Sequence, residues 1–290
     1  MKKILTVIFT ILLLGTLAFL VLQKSKVTIN STGLKITTSF YPMYYFTSII
    51  GGNYINVTNI TPPGTEPHDY ELTPQDIIKI EESKLLILNG NIEPWTDKIK
   101  TELKGKTTQI LIAGENISSP TDPHVWLSPK LAKIESEKIA NALKTNDPKH
   151  LDIYNKNLDS LKTELDKLDT EYKNGLKNCQ TRNFVTSHAA FNYLAKDYNL
   201  NQIAISGLTP DEEPSLSRLA EIANYAKKNK IKYIFFESLV SPKLSQTLAN
   251  EVGAKTLVLN PIEGVTDKNS TYLTLMEENL QNLRIALACK

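Results

Sequence analysis

One long amphipathic stripe near the middle of the chain constrains the fold more than any other feature. Apolar side chains recur every three or four positions from Leu151 to Leu176, with charged residues between them. This spacing predicts one continuous helix with a single buried face. A coiled-coil dimer seam is the alternative interpretation. We prefer a single helix lying along two lobes, because segments of similar length and pattern stand on either side of it.

Both flanking segments alternate short β-rich runs with helical stretches. The predicted strands are 34–40, 54–61, 84–88, 108–112, 183–186, 202–206, 232–236 and 256–259. This alternation predicts an α/β fold with two lobes of mostly parallel sheet flanked by helices. We assign the N-terminal lobe to 33–146, the rigid linking helix to 147–178 and the C-terminal lobe to 179–290. In sheets of this kind, ligands bind beyond the carboxyl ends of the strands.

The first residues of the chain predict an export signal. Residues Ile4 to Leu22 form 19 consecutive positions without a charge, after Lys2 and Lys3. A helix of that length spans roughly 28 Å, about one hydrocarbon core. Neither a small-residue cleavage site nor a cysteine for lipid attachment is visible nearby. We expect residues 1–26 to be an uncleaved membrane anchor or a removed signal sequence, with a buried N-terminal helix as the alternative.

This segment also predicts the cellular location of the protein, and its lysines account for the positive net charge. Lysines before the span stay inside, so the remainder works outside the cytoplasm, anchored to the membrane or secreted to the periplasm or cell surface. The formal net charge is +2, but Lys2, Lys3, Lys24 and Lys26 flank the apolar run. Without them the acidic residues slightly outnumber the basic ones. Nucleic-acid binding needs a clustered basic face, so we expect no nucleic-acid partner.

The two cysteines, Cys179 and Cys289, lie far apart in the sequence. In an exported chain an even number of cysteines favours a disulfide. That bond would tie the last residues to the start of the second half. The alternative is two unpaired buried thiols.

Three of the four histidines follow predicted strands. His68 lies in a proline-stiffened loop after the second strand, His124 follows the loop after the fourth, and His188 follows the first strand of the second half. Glu263 takes a similar place after the last strand. Three neutral imidazoles and one carboxylate suit Zn²⁺, whereas Mn²⁺ prefers a more oxygen-rich set. These positions predict a metal site in one cleft between the lobes.

Each of these residues also has an ordinary structural interpretation. His68 fits a surface loop residue, and His124 fits a helix-entry residue packed under Trp126. His188 fits a hydrogen-bonded core histidine, and Glu263 fits a helix cap or a solvated carboxylate. The alternatives stay open from the residues alone.

Two further titratable residues lie near predicted strand and helix ends. Glu237, at another strand end, is a candidate acceptor for an imidazole N–H behind the metal, or else a solvated residue. His150 lies in the first turn of the long helix, where we expect it to be solvated and assign it no role.

Four short motifs contain the candidate ligands, in a fixed order. They are Pro-Gly-Thr-Glu-Pro-His-Asp-Tyr-Glu ending at Glu71, Asp-Pro-His-Val-Trp-Leu at 122–127, Thr-Ser-His-Ala-Ala-Phe-Asn-Tyr-Leu at 186–194 and Asn-Pro-Ile-Glu-Gly at 260–264. Together they resemble the metal-binding solute-binding proteins of bacterial zinc and manganese ABC importers, over roughly 34–287.

The resemblance implies two α/β lobes bridged by one rigid helix, with the metal held between them. His68, His124 and His188 match the family's histidine ligands, and Glu263 matches the carboxylate of its zinc-type members. In manganese-type members the third position is usually an acid, so His188 favours zinc.

These observations predict a monomeric, non-enzymatic protein that captures Zn²⁺ outside the membrane with high affinity and delivers it to an ABC permease. The alternatives are a manganese-binding homologue, a zinc hydrolase using Glu263 as its base, and a surface adhesin. Four protein ligands favour binding over catalysis, because a catalytic zinc keeps one position open for water.

Overall fold

A computed structural model describes residues 33–117, 119 and 121–290. The predicted anchor or signal at 1–26 lies outside these residues. Within the described part of the chain, no helix is both long enough and apolar enough to cross a bilayer.

Two four-stranded parallel sheets form the frame of the molecule. The strands are β1 (Leu34–Thr38), β2 (Ile55–Asn59), β3 (Leu85–Leu88), β4 (Gln109–Ile112), β5 (Asn183–Thr186), β6 (Asn201–Ala204), β7 (Tyr233–Phe236) and β8 (Lys255–Val258). The strand order is β2-β1-β3-β4 in the first sheet and β6-β5-β7-β8 in the second. All strand pairs are parallel. The predicted α/β class with two lobes is therefore confirmed.

Helices follow the strands and cover both faces of each sheet. They are α1 (Tyr41–Gly51), α2 (Pro74–Glu82), α3 (Thr96–Glu102), α4 (Pro129–Asn146), α5 (Leu151–Gly175), α6 (Asn192–Asp197), α7 (Leu216–Lys228), α8 (Lys243–Val252) and α9 (Tyr272–Ala286). Local sequence sets several of their starts. The Thr73 hydroxyl accepts a bond from the backbone N–H of Asp76 in a capping box, and Ser128 caps α4 through the N–H of Leu131.

The strands are shorter than the sequence predicts at several ends. β1 stops at Thr38 instead of residue 40, and β2 starts at Ile55 instead of residue 54. Phe40 is already the N-cap of α1, and Tyr54 belongs to a short 3₁₀ turn that ends α1. Neither residue is paired in the sheet: Phe40 is buried at the start of α1, whereas Tyr54 is 39% exposed.

The amphipathic stripe forms a single helix, α5, within this chain. The stripe residues Tyr154, Leu158, Leu161, Leu165, Leu168 and Tyr172 are all buried. The helix packs against α1, α4 and α9, so the chain itself covers the face that a coiled-coil partner would need. Leu151 is the exception: it is 41% exposed, because it stands at the first turn, beyond the packed part of α5.

The start of α5 differs from the prediction. Pro148–His150 form a 3₁₀ turn, and the α-helix begins only at Leu151. The Asp147 carboxylate accepts a bond from the Tyr154 hydroxyl at 2.7 Å and contacts His150 Nδ1 at 2.6 Å. His150 also lies against the Tyr54 ring, with centroids 4.3 Å apart. His150 is therefore partly solvated, with 35% of its side chain exposed, because this tight turn folds its ring back onto Asp147.

One hydrophobic core runs through both lobes. It joins the inner faces of the two sheets to α1, α4, α5 and α9, while smaller clusters fill the outer face of each sheet. Residues 33–290 accordingly form one unit, and the lobe limits at 146 and 179 stay a prediction.

A disulfide closes the C-terminal lobe. It joins Cys179 to Cys289 across 110 residues and ties the end of α9 to the segment before β5. The same two residues form an isolated antiparallel bridge. The structure thus has the bonded pair and not the two free thiols.

Candidate metal centre

The four predicted ligands meet between the lobes. One ligand atom from each of His68, His124, His188 and Glu263 can be chosen so that all lie within 4.8 Å of one another. Glu263 Oε1 lies 3.4 Å from the Nε2 atoms of His68 and His124, and 3.5 Å from Nε2 of His188. The His68 side chain is 4% exposed, and the other three are fully buried.

Parallel strands explain why residues so distant in sequence converge. His68 follows β2, and His124 follows β4 and its long loop. His188 follows β5, and Glu263 follows β8. The carboxyl ends of both sheets face the same cleft, so each sheet contributes two side chains. The predicted cleft position therefore corresponds to the observed geometry.

His124 is oriented by a carboxylate in its own loop. Asp122 Oδ1 accepts a bond from the His124 backbone N–H at 3.1 Å and lies 2.9 Å from its Nδ1. This contact favours the tautomer with the proton on Nδ1, which leaves Nε2 free to bind a metal ion. Behind the imidazole, the ring centroid of Trp126 lies 5.2 Å away. The indole Nε1–H of Trp126 donates to the carbonyl of Pro261 at 2.8 Å.

His188 is held in the same way by a carboxylate from a neighbouring strand. Glu237, directly after β7, accepts a bond from the His188 backbone N–H at 3.1 Å and lies 2.7 Å from its Nδ1. Both side chains are buried. Glu237 thus stands where the sequence-based acceptor interpretation puts it, and the solvated alternative does not apply.

The loop that carries Glu263 has a strained backbone and is held by hydrogen bonds from α9. Ile262, a buried β-branched residue, has φ of 59°, a left-handed conformation that costs about 1–3 kcal/mol. The loop is held by Asn279 on α9, which donates to the carbonyl of Asn260 at 2.7 Å and accepts from its N–H at 2.7 Å. Packing of α9 therefore fixes where Glu263 points.

A glycine next to Glu263 allows the two lobes to approach closely. A Cβ placed on Gly264 would lie 3.5 Å from the carbonyl oxygen of Thr65 and 3.1 Å from Leu239. The loop that carries His68 and the loop that carries Glu263 thus touch through backbone at this point. A side chain at 264 would press against the end of the Leu239 side chain and reach ordinary contact with Thr65.

The cluster is electrostatically arranged for a cation. Burial alone would raise the pKa of Glu263, but the neighbouring imidazoles of His188, His124 and His68 hold it well below its usual value. Burial alone would lower the pKa of His188, but the carboxylates of Glu237 and Glu263 raise it well above its usual value. An ionised carboxylate surrounded by three imidazoles favours a positive charge at its centre.

Two neighbouring carboxylates were missed by the sequence analysis. Besides Asp122, Glu66 lies in the cluster: its Oε1 accepts a bond from the His68 backbone N–H at 3.3 Å. Burial and the nearby Glu263 raise the pKa of Glu66 to about 9. Each stands two residues before its histidine, in the pattern acid-proline-histidine. That repeated spacing is the signal that could have identified them.

Comparison with known proteins gives matches over nearly the whole described chain. The family ZnuA, described as zinc-uptake complex component A, periplasmic, matches residues 36–286. The "Zinc-binding lipoprotein AdcA" of Streptococcus pneumoniae is 41% identical over 276 residues, covering 87% of this chain and 55% of that protein. The chain therefore spans about half the length of this relative.

Two further matches cover their counterparts almost completely. The "High-affinity zinc uptake system protein ZnuA" of Bacillus subtilis is 37% identical over 295 residues, with 92% of each chain covered. Among solved structures, the Zn(II)-bound ZnuA-like domain of Streptococcus pneumoniae AdcA superposes with a TM-score of 0.79 at 41% identity. That match covers 88% of this chain and 99% of the domain.

Proposed function

The chain belongs to the ZnuA family of zinc-uptake complex components, and from this membership we propose that it captures Zn²⁺ outside the cytoplasm for delivery to an ABC permease. The observation that carries the proposal is the meeting of His68, His124, His188 and Glu263 within 4.8 Å in a buried cleft. In this proposal the ion is cargo, and these four residues are its ligands.

The ligand chemistry supports zinc over manganese. Three imidazole nitrogens and one carboxylate oxygen match the nitrogen-rich, four-coordinate sets that Zn²⁺ forms in proteins. Manganese favours sites with more oxygen donors and higher coordination numbers. The names of the relatives agree with this choice, since those of Streptococcus pneumoniae and Bacillus subtilis are both named for zinc.

The geometry supports binding over hydrolysis. Glu263 Oε1 lies 3.4–3.5 Å from all three Nε2 atoms, so one ion among the imidazoles would be within reach of this oxygen directly. A general base would instead stand beyond a metal-bound water. The surface-adhesion alternative gives the buried cluster no purpose, and we do not propose it.

Delivery requires the protein to stay near its permease. We propose that the apolar segment 4–22 either anchors the protein to the membrane or directs its export, so that the cleft faces the outside. We further propose that the protein acts as a monomer, because the stripe on α5 is covered within the chain.

Calorimetry on purified full-length protein tests the proposal. We expect one Zn²⁺ to bind tightly per chain at neutral pH and Mn²⁺ to bind more weakly. Absence of zinc binding would refute the function. Anomalous X-ray scattering at the zinc edge, on protein purified without added metal, would identify the ion and its ligands together.

A single substitution separates binder from hydrolase. Glu263→Gln keeps the shape but removes the negative charge from the cluster. A binding protein then loses zinc affinity, whereas a hydrolase with Glu263 as base keeps its metal and loses turnover. Retained affinity in this variant would contradict the role of Glu263 as a ligand.

A further inference from the structure

One side-chain amide joins the loops that carry two of the histidines. Asn192, the first residue of α6, donates both of its Nδ2 hydrogens. One goes to Asp122 Oδ2 at 3.0 Å, across the cleft in the N-terminal lobe. The other goes to the carbonyl of Ala189 at 3.0 Å, next to His188 in its own lobe. The amide therefore contacts both sides of the cleft at once.

One acceptor, Asp122, contacts the His124 imidazole directly, and the other, the carbonyl of Ala189, belongs to the residue that follows His188. The other oxygen of Asp122 holds the backbone N–H and Nδ1 of His124. The carbonyl of Asp122 also accepts a bond from the hydroxyl of Tyr193, the next residue of α6, at 3.0 Å. At the far side of the imidazoles, Nε2 of His124 lies 3.3 Å from Nε2 of His188. A set of contacts thus runs from His124, through Asp122 and Asn192, to the residue that follows His188.

We propose that Asn192 is a positioning residue that keeps the two lobes closed on the ion and slows its release. This inference rests on the proposed zinc-binding function. A bond from an amide N–H to a carboxylate is charge-assisted and directional. Asn192 touches no ligand atom and acts through Asp122. It holds His124 at its distance from His188 before the ion arrives, so less order has to be created on binding.

The rate of zinc release is the quantity to measure. Full-length protein is loaded with Zn²⁺ and mixed rapidly with an excess of chelator. We expect Asn192→Ala to release zinc about 3- to 10-fold faster than wild type, the factor that one partly exposed hydrogen bond supports. All four candidate ligands remain in this variant.

Asn201→Ala is the matched control. Asn201 is also an exposed asparagine whose Nδ2 donates to two acceptors, Asn183 Oδ1 at 3.0 Å and the Tyr225 hydroxyl at 3.1 Å. All of these residues lie in the C-terminal lobe. We expect its release rate to equal that of wild type. Equal acceleration in both variants would overturn the proposal, because the effect would then come from general loosening of the lobe.

Asn192→Asp separates the proposed role from a purely structural one. An acidic residue in the first turn of a helix is favourable for α6 itself. Facing Asp122 across the cleft, however, it replaces a donor with a second carboxylate. We expect zinc release faster than in Asn192→Ala, with a metal-free protein that still folds cooperatively. A rate equal to that of wild type in both variants would overturn the role of Asn192 alone, whereas wild-type protein that binds no zinc would overturn the proposed function as well.

Discussion

The two lobes build the same sheet but support their candidate ligands differently. In the N-terminal lobe the supporting carboxylate precedes its histidine by two residues, as with Asp122 and His124. In the C-terminal lobe Glu237 supports His188 from 49 residues away, and Asn279 on α9 holds the loop of Glu263. The N-terminal half of the site thus takes its supporting carboxylate from local sequence, with a further contact from Asn192 in the other lobe, whereas the C-terminal half depends on packing between distant elements.

The largest effect expected from this difference concerns the disulfide. It closes 110 residues of the C-terminal lobe and fixes the end of α9, the helix that carries Asn279. We expect Cys179→Ser with Cys289→Ser to lower the free energy of unfolding by about 2–4 kcal/mol, as measured by urea denaturation.

Reductant provides the control for the disulfide prediction. It should destabilise wild-type protein by a similar amount and leave the serine variant unchanged. If the C-terminal half of the site depends on packing, zinc affinity measured well below the unfolding transition should also fall in the variant. Unchanged stability and affinity would show that α9 is held without the bond.

Substitutions of Asp122 and Glu237 test directly whether local and distant support differ between the two lobes. Loss of a carboxylate behind a metal-binding histidine typically reduces affinity about 10- to 100-fold. We expect Glu237→Gln to reduce zinc affinity by a factor near 100, because Glu237 also connects β7 to the His188 loop. Asp122→Asn should reduce zinc affinity by a factor near 10, because Pro123 still restricts the loop. Competition with a fluorescent zinc chelator measures both, and the reverse order would contradict the assignment of local and distant support.

The same difference explains what could be predicted from the sequence. The sheet class, the long helix and the four converging side chains follow from periodicity and from the positions of strand ends. Glu237 was recognisable as a strand-end carboxylate, but its pairing with His188 requires the order β5-β7 in the sheet, which the sequence does not state. The left-handed backbone at Ile262 was also unpredictable, because a β-branched residue argues against it. Tertiary packing overrides the local preference there.

The next smaller effect that we predict is a gain in stability from replacing a buried carboxylate in the N-terminal lobe. Glu135 on α4 is fully buried, and neither of its oxygens has a hydrogen-bond partner among the residues that the structure describes. Burial raises its pKa well above the usual value, against the opposing charge of Lys138 and assisted by Glu93. We expect Glu135→Gln to stabilise the protein by about 1–2 kcal/mol at pH 7, because it removes the cost of this buried ionisable group.

The pH dependence of this gain has a definite sign. Since the folded protein holds the Glu135 proton more tightly than the unfolded chain, wild type retains its full stability below the unfolded pKa, near 4.5, and loses stability as pH rises above it. The advantage of Glu135→Gln should therefore be small at pH 4 and grow towards pH 7. Urea denaturation at the two pH values measures it, and a constant difference would show that Glu135 does not titrate as the burial indicates.

The smallest effect belongs to the stiff loop of the N-terminal lobe. Pro67 is buried directly before His68 and restricts the backbone that presents the imidazole. Pro67→Gly should weaken zinc binding only about 2- to 5-fold, since the restriction of one proline contributes about 0.4–1 kcal/mol. Pro63→Gly, at an exposed position of the same loop, is the control and should leave affinity unchanged. If local stiffness supports His68, calorimetry gives different zinc affinities for the two variants. Equal affinities would mean that contacts across the cleft, with Glu263 and Gly264, hold this histidine. The N-terminal half of the site would then depend on distant packing.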